Sequence, residues 1–230
     1  MPAAIVTGVS RGFGLALATA LAGDGWSLVV DARDAHALHE AVGSLGPRVT
    51  PIAGDVTDSA HQRRLVSAAE QLGGLDLLVH NASELGPSPQ PPLVTYPLAT
   101  LRRVYEVNVV APLALTQAAA PLLGRAATPT VVMLSSDAAV EAYQGWGGYG
   151  SSKAALDHAA AILAAEQPSW RVYAFDPGDM NTGLHQAAFP GEDISDRADP
   201  ATVVPRLLHL LEQRPASGRY RAADMAAVVA

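Results

Sequence analysis

Cysteine is absent from this 230-residue chain, which excludes disulfides, thiolate metal sites and thiol nucleophiles together and allows a reducing, cytoplasmic setting. Charge is sparse as well: Asp, Glu, Lys and Arg make up 16% of the residues, and 15 bases against 22 acids leave a formal net charge of −7. A chain of that sign has no global attraction to nucleic acid or to an anionic membrane surface, so any anionic ligand has to be held by local positive features. The opening residues, Met1 to Gly8, enter a strand-like run with neither a basic n-region nor the apolar h-region of an export signal. No uninterrupted apolar run reaches the length of about 18 residues needed to suggest a membrane span. The seven histidines form no ligand motif, and His36 and His39, three apart, lack a third partner, so no metal site is expected. Among the residue types present, lysine is the scarcest. Of the 15 basic side chains 14 are Arg, and the exception is Lys153.

Apolar residues, by contrast, make up 49% of the chain, enough for a sizeable core and far from a disordered composition. No repeat or linker divides the sequence, so 1–230 is read as one domain. Short aliphatic runs at 3–7, 27–31, 49–53, 75–80, 130–135, 171–175 and 218–221 alternate with helix-favouring segments at 14–22, 35–44, 59–72, 98–123, 150–166 and 200–213. The runs are nearly continuous hydrophobics rather than strict alternations, as strands buried on both faces require. The expectation is an α/β fold: a single Rossmann-type, doubly wound parallel sheet of about seven strands with helices on both faces. Ligands of such sheets sit beyond the carboxyl ends of the strands. The proline-rich stretch 86–97 follows the fourth run and is expected to be a rigid, extended loop, placed to wall one side of a pocket.

Directly after the first run comes Thr7-Gly8-Val9-Ser10-Arg11-Gly12-Phe13-Gly14, leading into a helical segment. Glycines there let the backbone turn sharply and approach a pyrophosphate, and the following helix offers unpaired N–H groups with a partial positive charge. The spacing GxxxGxG is not the GxGxxG fingerprint, and no GK[ST] follows to make a P-loop. A dinucleotide site is the natural consequence of its place in a βαβ unit. Farther on, Tyr149 and Lys153 lie four apart on a predicted helix and so share one face, about a turn from each other. An ammonium beside a phenol favours the phenolate and moves its pKa down toward working pH, where it can pass a proton to or from a carbonyl oxygen.

Taken with Asp55-Val56 after the third run, Asn81-Ala82 after the fourth, Asn108, Ser136 and Pro177-Gly178-x-x-x-Thr182, the glycine turn and the Tyr-x-x-x-Lys pair resemble the short-chain dehydrogenase/reductase family, in order and over nearly the whole chain. The stretch from Gly145 to Ala155, Asp199-Pro200 with the helix after it, and Ser217-Gly218 resemble the sepiapterin reductase and benzil reductase branch of that family. Two departures stand out. His80-Asn81-Ala82-Ser83 replaces the usual Asn-Asn-Ala-Gly, and little sequence follows the seventh run to cover a substrate pocket.

The resemblance implies a catalytic set of Asn108, Ser136, Tyr149 and Lys153, with Tyr149 as general acid, Ser136 rather than Ser135 orienting the substrate oxygen, and Asn108 in a water-mediated proton relay to Lys153. It implies cofactor contacts from Gly8, Ser10, Arg11, Gly12, Phe13 and Gly14, from Asp55 and Val56 at the adenine, from Asn81 and Ala82 at the adenosine ribose, from Tyr149 and Lys153, and from Pro177, Gly178, Met180 and Thr182 at the nicotinamide. Each has a plainer reading: a tyrosine and lysine at helical spacing also make a surface pair, Ser135-Ser136 also ends a strand, and Asp55 also makes a turn or cap. Counting from Gly25, the position where the family's NAD-binding members carry an acid falls on Ala32, and Arg33 follows. With Arg11 nearby, that favours NADP(H), since a guanidinium suits the extra phosphate; Asp31, one residue earlier, argues for NAD if the register slips. The segment 180–196 is placed to be a lid, and Leu184, Ala187, Ala188 and Phe189 with Tyr143 and Trp146 would form an apolar pocket for a ketone or vicinal dicarbonyl. The partners implied are a small carbonyl substrate and a second copy of the chain, as homodimer or homotetramer. An alcohol dehydrogenase working oxidatively, and a dinucleotide-sensing module without catalysis, remain alternatives.

Overall fold

The structure is a computed structural model that describes residues 1–225. Seven strands, β1 (Ala3–Val6), β2 (Ser27–Ala32), β3 (Val49–Ala53), β4 (Leu77–His80), β5 (Thr130–Leu134), β6 (Arg171–Asp176) and β7 (Gly218–Arg221), form one sheet in the order β3-β2-β1-β4-β5-β6-β7. Every pairing is parallel. All carboxyl ends therefore meet at one edge, and the winding reverses between β1 and β4, where a crevice opens.

The central strands are apolar throughout because both faces are covered. Residues alternate between two cores: Val6, Leu28, Val30 and Phe175 face one, Ile5, Val29, Leu78 and Val131 the other. The first core is closed by α1 (Gly12–Gly23), α2 (Ala35–Val42) and, beyond the other helices, α8 (Pro200–Gln213), which contribute Leu17, Leu38 and Leu207. Asp34 caps α2 and Asp199 caps α8 through their carboxylates. The second core is closed by α3 (Ser59–Gln71), α5 (Ala111–Leu123) and α6 (Gly147–Glu166), through Leu65, Leu115 and Leu156. α4 (Leu98–Tyr105) leads into α5, and α7 (Gly183–Ala188), six residues that sequence periodicity does not announce, lies inside the segment expected to be a lid.

The helix expected over 98–123 is not uniform. Between α4 and α5 lies a π-helical turn, Glu106–Val110, in which the Ala111 N–H bonds five residues back to the Glu106 carbonyl. Pro112 sits four residues after Asn108 and has no N–H to give its carbonyl, so the regular ladder fails there. By length and composition Leu98–Leu123 is apolar enough to cross a membrane, yet half of it is buried in the protein; it packs on α3 and α6, as a core helix does.

His80, standing where the family usually has Asn, is buried at the end of β4, with Nε2 2.8 Å from the Thr116 hydroxyl. Burial pushes its pKa down to about 3, so the folded protein keeps it neutral while the unfolded chain protonates below about pH 6.5. The stabilisation this gives is intact above that pH and is lost as pH falls toward 3, by up to about 1.4 kcal/mol per pH unit. Urea unfolding of wild type and His80→Asn between pH 4 and 7 should show a shallower acid decline for the variant; parallel curves would rule the assignment out.

Candidate active site

At the crevice the first glycine turn is stitched to the end of β4. The Thr7 hydroxyl accepts from the N–H groups of Asn81 and Ala82 at 3.0 and 3.1 Å, and Asn81 Nδ2 donates to the carbonyls of Thr7 and Gly8 at 2.8 and 3.0 Å. Gly8 and Gly12 take φ of 74° and 60°, the left-handed region. A Cβ on Gly8 would come within 2.9 Å of the Ala82 backbone, and one on Gly14 would run into the Asn81 amide and the Gly8 carbonyl. The backbone thus forms a cradle that only glycine leaves open, with the N-terminus of α1 pointing into it, and the residues present fit a dinucleotide pyrophosphate.

Behind the turn, the Gly8 N–H donates to Asp31 Oδ1 at 2.8 Å, while Asp31 Oδ2 lies 2.9 Å from His61 Nε2. Burial raises the Asp31 carboxyl, against the hydrogen bonds from His61 and Gly8. Asp31 is therefore committed to the turn and is not offered to a ribose. Ala32 ends β2 and Arg33 follows, both lining the cleft together with Arg11. Arg33 lies 3.6 Å from Glu84. Asp55 makes the turn of its plainer reading, accepting from the Thr57 N–H and hydroxyl, and is also clamped by Arg103. It nonetheless lines the cleft with Val56. Its carboxyl is lowered: burial, the largest influence, works the other way and is outweighed by Thr57 and Arg103.

At the other end of the cleft, Tyr149 and Lys153 sit on successive turns of α6, both buried. Lys153 Nζ donates to the Leu134 carbonyl at 2.6 Å and lies 5.4 Å from the centre of the Tyr149 ring. Burial pushes the ammonium pKa down to about 8, with Asp157 pulling it back up. The phenol moves opposite to the sequence expectation. Burial raises it, the hydrogen bond with Ser83 opposes this, and Asp137 and Asp176 add to the rise. The correction has a simple cause: a phenolate loses more hydration in this pocket than the Ser83 hydrogen bond returns, and two nearby carboxylates add to the cost.

The cleft brings together Gly8, Ser10, Arg11, Gly12 and Phe13 with Arg33, Asp55 and Val56, then Asn81, Ala82, Tyr149 and Lys153, and finally Pro177, Met180 and Thr182. Gly14, Asn108, Ser136 and Gly178 are not among the residues that line it; Asn108 is buried, Ser136 half-buried and Gly178 exposed. The Asn108 side chain is fully engaged, accepting from Ser83 Oγ and the Glu84 N–H and donating to the Glu84 carbonyl and Ser152 Oγ, so it holds the loop after β4 against α6. The Ser136 hydroxyl donates to Asp137 Oδ1 at 2.9 Å and accepts from the Ala138 N–H; Ser135, whose hydroxyl donates to Asp157, is the serine at the cleft wall. Sequence reasoning missed Ser83, Glu84 and Arg103, which also line the cleft. The 180–196 segment lies over Tyr149. Leu184, Ala187 and Ala188 pack on Tyr149, Leu85 and Ala138, Trp146 stands 5.8 Å from Phe189 and 5.9 Å from Tyr149, and the Ser88 hydroxyl of the proline-rich loop donates to the Ala187 carbonyl at 2.6 Å. Among the described residues no group of three or more His, Asp or Glu could hold a metal. Gly14→Ala, whose Cβ would press on the Asn81 amide and the Gly8 carbonyl, should displace the cradle and weaken dinucleotide binding at least about tenfold, roughly 1.4 kcal/mol, in calorimetric titration, with some loss of thermal stability; unchanged affinity would mean that the cradle is not the pyrophosphate site.

The short chain dehydrogenase family model matches residues 2–193. Mouse (Mus musculus) sepiapterin reductase is 36% identical over 203 residues, which cover 80% of this chain and 76% of that protein. A Shigella flexneri short chain dehydrogenase solved with NADP superposes with a TM-score of 0.90 at 27% identity, covering 96% of this chain and 97% of that one. An Escherichia coli relative solved with NADPH gives 0.89 at 28% identity and 96% coverage of both. With sheet order, glycine cradle and buried Tyr149–Lys153 pair all in place, the chain belongs to the short-chain dehydrogenase/reductase family.

Proposed function

We propose that this protein is an NADPH-dependent carbonyl reductase that converts a ketone or vicinal dicarbonyl to the alcohol, with Tyr149 as general acid. The observation that carries it is the pair of buried groups on α6 at the cleft wall, the Tyr149 phenol with the Lys153 ammonium 5.4 Å from its ring centre. Burial keeps the phenol protonated, so it has a proton to give to a carbonyl oxygen, the direction of reduction, and the ammonium beside it offsets the charge left on the phenol oxygen as that proton leaves. When bound in the cleft, the cofactor supplies the hydride that goes to the carbonyl carbon. Lys153 holds a proton close to neutrality beside the ring, and Ser136 orients the substrate oxygen once its hydroxyl turns from Asp137. The engaged side chain of Asn108 keeps the loop after β4 docked on α6; a relay to Lys153 would run through its backbone carbonyl, which Pro112 deprives of an α-helical donor.

NADP rather than NAD is supported by Ala32 at the acidic position, by Arg33 and Arg11 at the cleft, by the engagement of Asp31 with Gly8 and His61, and by the NADP and NADPH complexes of two structural relatives. An uncharged carbonyl compound is supported by the apolar cover of Leu85, Ala138, Leu184, Ala187 and Trp146 around Tyr149, and reduction by the relationship to a sepiapterin reductase. The family is often oligomeric. Here the outward Val110 and Ile162, on the π turn and α6, lie in the two helices through which a homodimer or homotetramer would form.

The test is NADPH consumption over vicinal diketones, quinones, pterins and simple ketones. Tyr149→Phe should bind cofactor normally and lose about 10²- to 10⁴-fold in kcat; a variant within about threefold of wild type would remove Tyr149 as the acid. Arg33→Asp should shift the NADPH-to-NADH ratio of kcat/KM more than about tenfold toward NADH, since charged hydrogen bonds contribute about 1.5–3 kcal/mol. An unchanged ratio would place the 2′-phosphate elsewhere.

A further inference from the structure

β7 is the edge strand and lies outside the segment matched by the family model. Its register sets Arg219 opposite Ala174 and Arg221 opposite Asp176, and alternation turns both arginines away from Tyr220, which packs on Tyr173 across β6. Arg219 therefore reaches in beneath the carboxyl ends of β5 and β6. Its Nε donates to Asp157 Oδ2 at 3.0 Å, and its Nη2 donates to Asp176 Oδ2 and to the Ser136 carbonyl, both at 2.9 Å.

Each of those acceptors belongs to a segment that carries part of the site. Asp157 is one turn past Lys153 on α6, the same face. Ser136 is the candidate for orienting the substrate oxygen. Asp176 directly precedes Pro177-Gly178 and spends its other oxygen on the Gly178 N–H at 3.0 Å, fixing a turn whose glycine sits at φ 76°. Asp157 Oδ2 also takes the Ser135 hydroxyl at 2.7 Å. Both carboxylates are largely withdrawn from water, so each needs a cation. Arg221, 3.9 Å from Asp176 and half exposed, is a rim contact; Arg219 is the side chain that joins all three segments.

We propose that Arg219 is a positioning residue for the reaction: its guanidinium locks the Ser136 backbone, the Lys153 turn of α6 and the Pro177-Gly178 turn into one arrangement, and balances Asp157 so that its charge does not fall on Lys153 alone. The inference rests on the reading of Ser136, Tyr149 and Lys153 as the reacting groups. It has a readout that needs no substrate, because Lys153 is the chain's one lysine and protein labelled with ¹³C at lysine Cε gives a single side-chain signal. The titratable groups at that ammonium are Asp157 and the Tyr149 ring on α6; Asp137 after β5 and Asp176 at the end of β6 act on Tyr149, and Arg219 on β7 pairs with Asp157 and Asp176. Removing the guanidinium leaves Asp157 uncompensated beside the ammonium, which favours its charged form and moves its titration midpoint up.

The experiment compares wild type, Arg219→Gln and Arg219→Lys, full length, by ¹³C titration, thermal melting, NADPH calorimetry, and kcat and KM on a carbonyl compound that wild type reduces in the NADPH-consumption test. Expected for Arg219→Gln are an upward shift of the Lys153 midpoint by roughly half a unit or more, a fall in kcat of at least about tenfold, as misplacement of reacting groups produces, and an NADPH affinity within about threefold of wild type. Arg219→Lys, which keeps the charge but not the fork, should restore the midpoint and only part of kcat. If the glutamine variant does not fold, the lysine variant is read alone, and full wild-type kcat in it overturns the proposal. An unmoved Lys153 midpoint with kcat lost only in proportion to lost stability also overturns it, reducing Arg219 to a structural tie. Should wild type reduce no carbonyl compound, the proposed function fails, while the titration still decides whether Arg219 controls Lys153.

Discussion

The seam between β1 and β4 is what the rest of the site depends on. Two strands distant in sequence lie side by side there, and the loops leaving them diverge, so nothing in the sheet ladder itself fixes one loop against the other. Thr7 and Asn81 supply the missing connection, with one hydroxyl receiving two backbone N–H groups and one amide reaching two backbone carbonyls. A network of this kind, shielded from water and with each donor matched to an acceptor, defines one geometry and makes alternatives costly. Gly14 lies directly against that amide, which couples the start of α1 to the same anchor.

The far end of the cleft is governed by burial rather than by direct pairing. Withdrawal from water pushes phenol and ammonium toward their neutral forms, one up and one down. The phenol and the ammonium are thereby drawn away from the ionised pair that two free side chains would favour. Carboxylates placed one layer below, Asp157 and Asp176, hold the balance, and the arginine of the edge strand ties them together. In the proposed reaction, chemistry at the surface of the cleft would draw on charges that never touch it.

Much of this was readable in the sequence for identifiable reasons. Near-continuous aliphatic runs such as 75–80 and 130–135, alternating with helical patterns, read as strands covered twice; β4 and β5 lie within them, and residues just beyond lie at one edge. Counting from Gly25 in the register of the family it resembles put Ala32 and Arg33 at the end of the second strand, where β2 ends at Ala32, one residue beyond the aliphatic run. What escaped were contacts created by sheet order. Arg219 meets Asp157 and Asp176, and Arg103 meets Asp55, because strands and helices far apart along the chain become neighbours, which no local pattern encodes. The direction of the Tyr149 shift escaped because helical spacing reports nearness but not hydration. The π turn had a signal, Pro112 four residues after Asn108, whose consequence for the helix is local and physical. Six-residue α7 is too short to show a period, though Thr182, whose hydroxyl caps it, marked its start.

The solitary, almost wholly buried Lys153 has a practical side. An exposed surface ordinarily offers many ε-amines to acylating reagents, cross-linkers and surface-coupling chemistries; apart from its α-amino group, this chain offers only one, 2% accessible and pinned to the Leu134 carbonyl. Amine-directed chemistry that would decorate another protein at random can therefore reach a side-chain amine here only through the cleft that Lys153 lines, and labelling of that amine would report whether the cleft is filled.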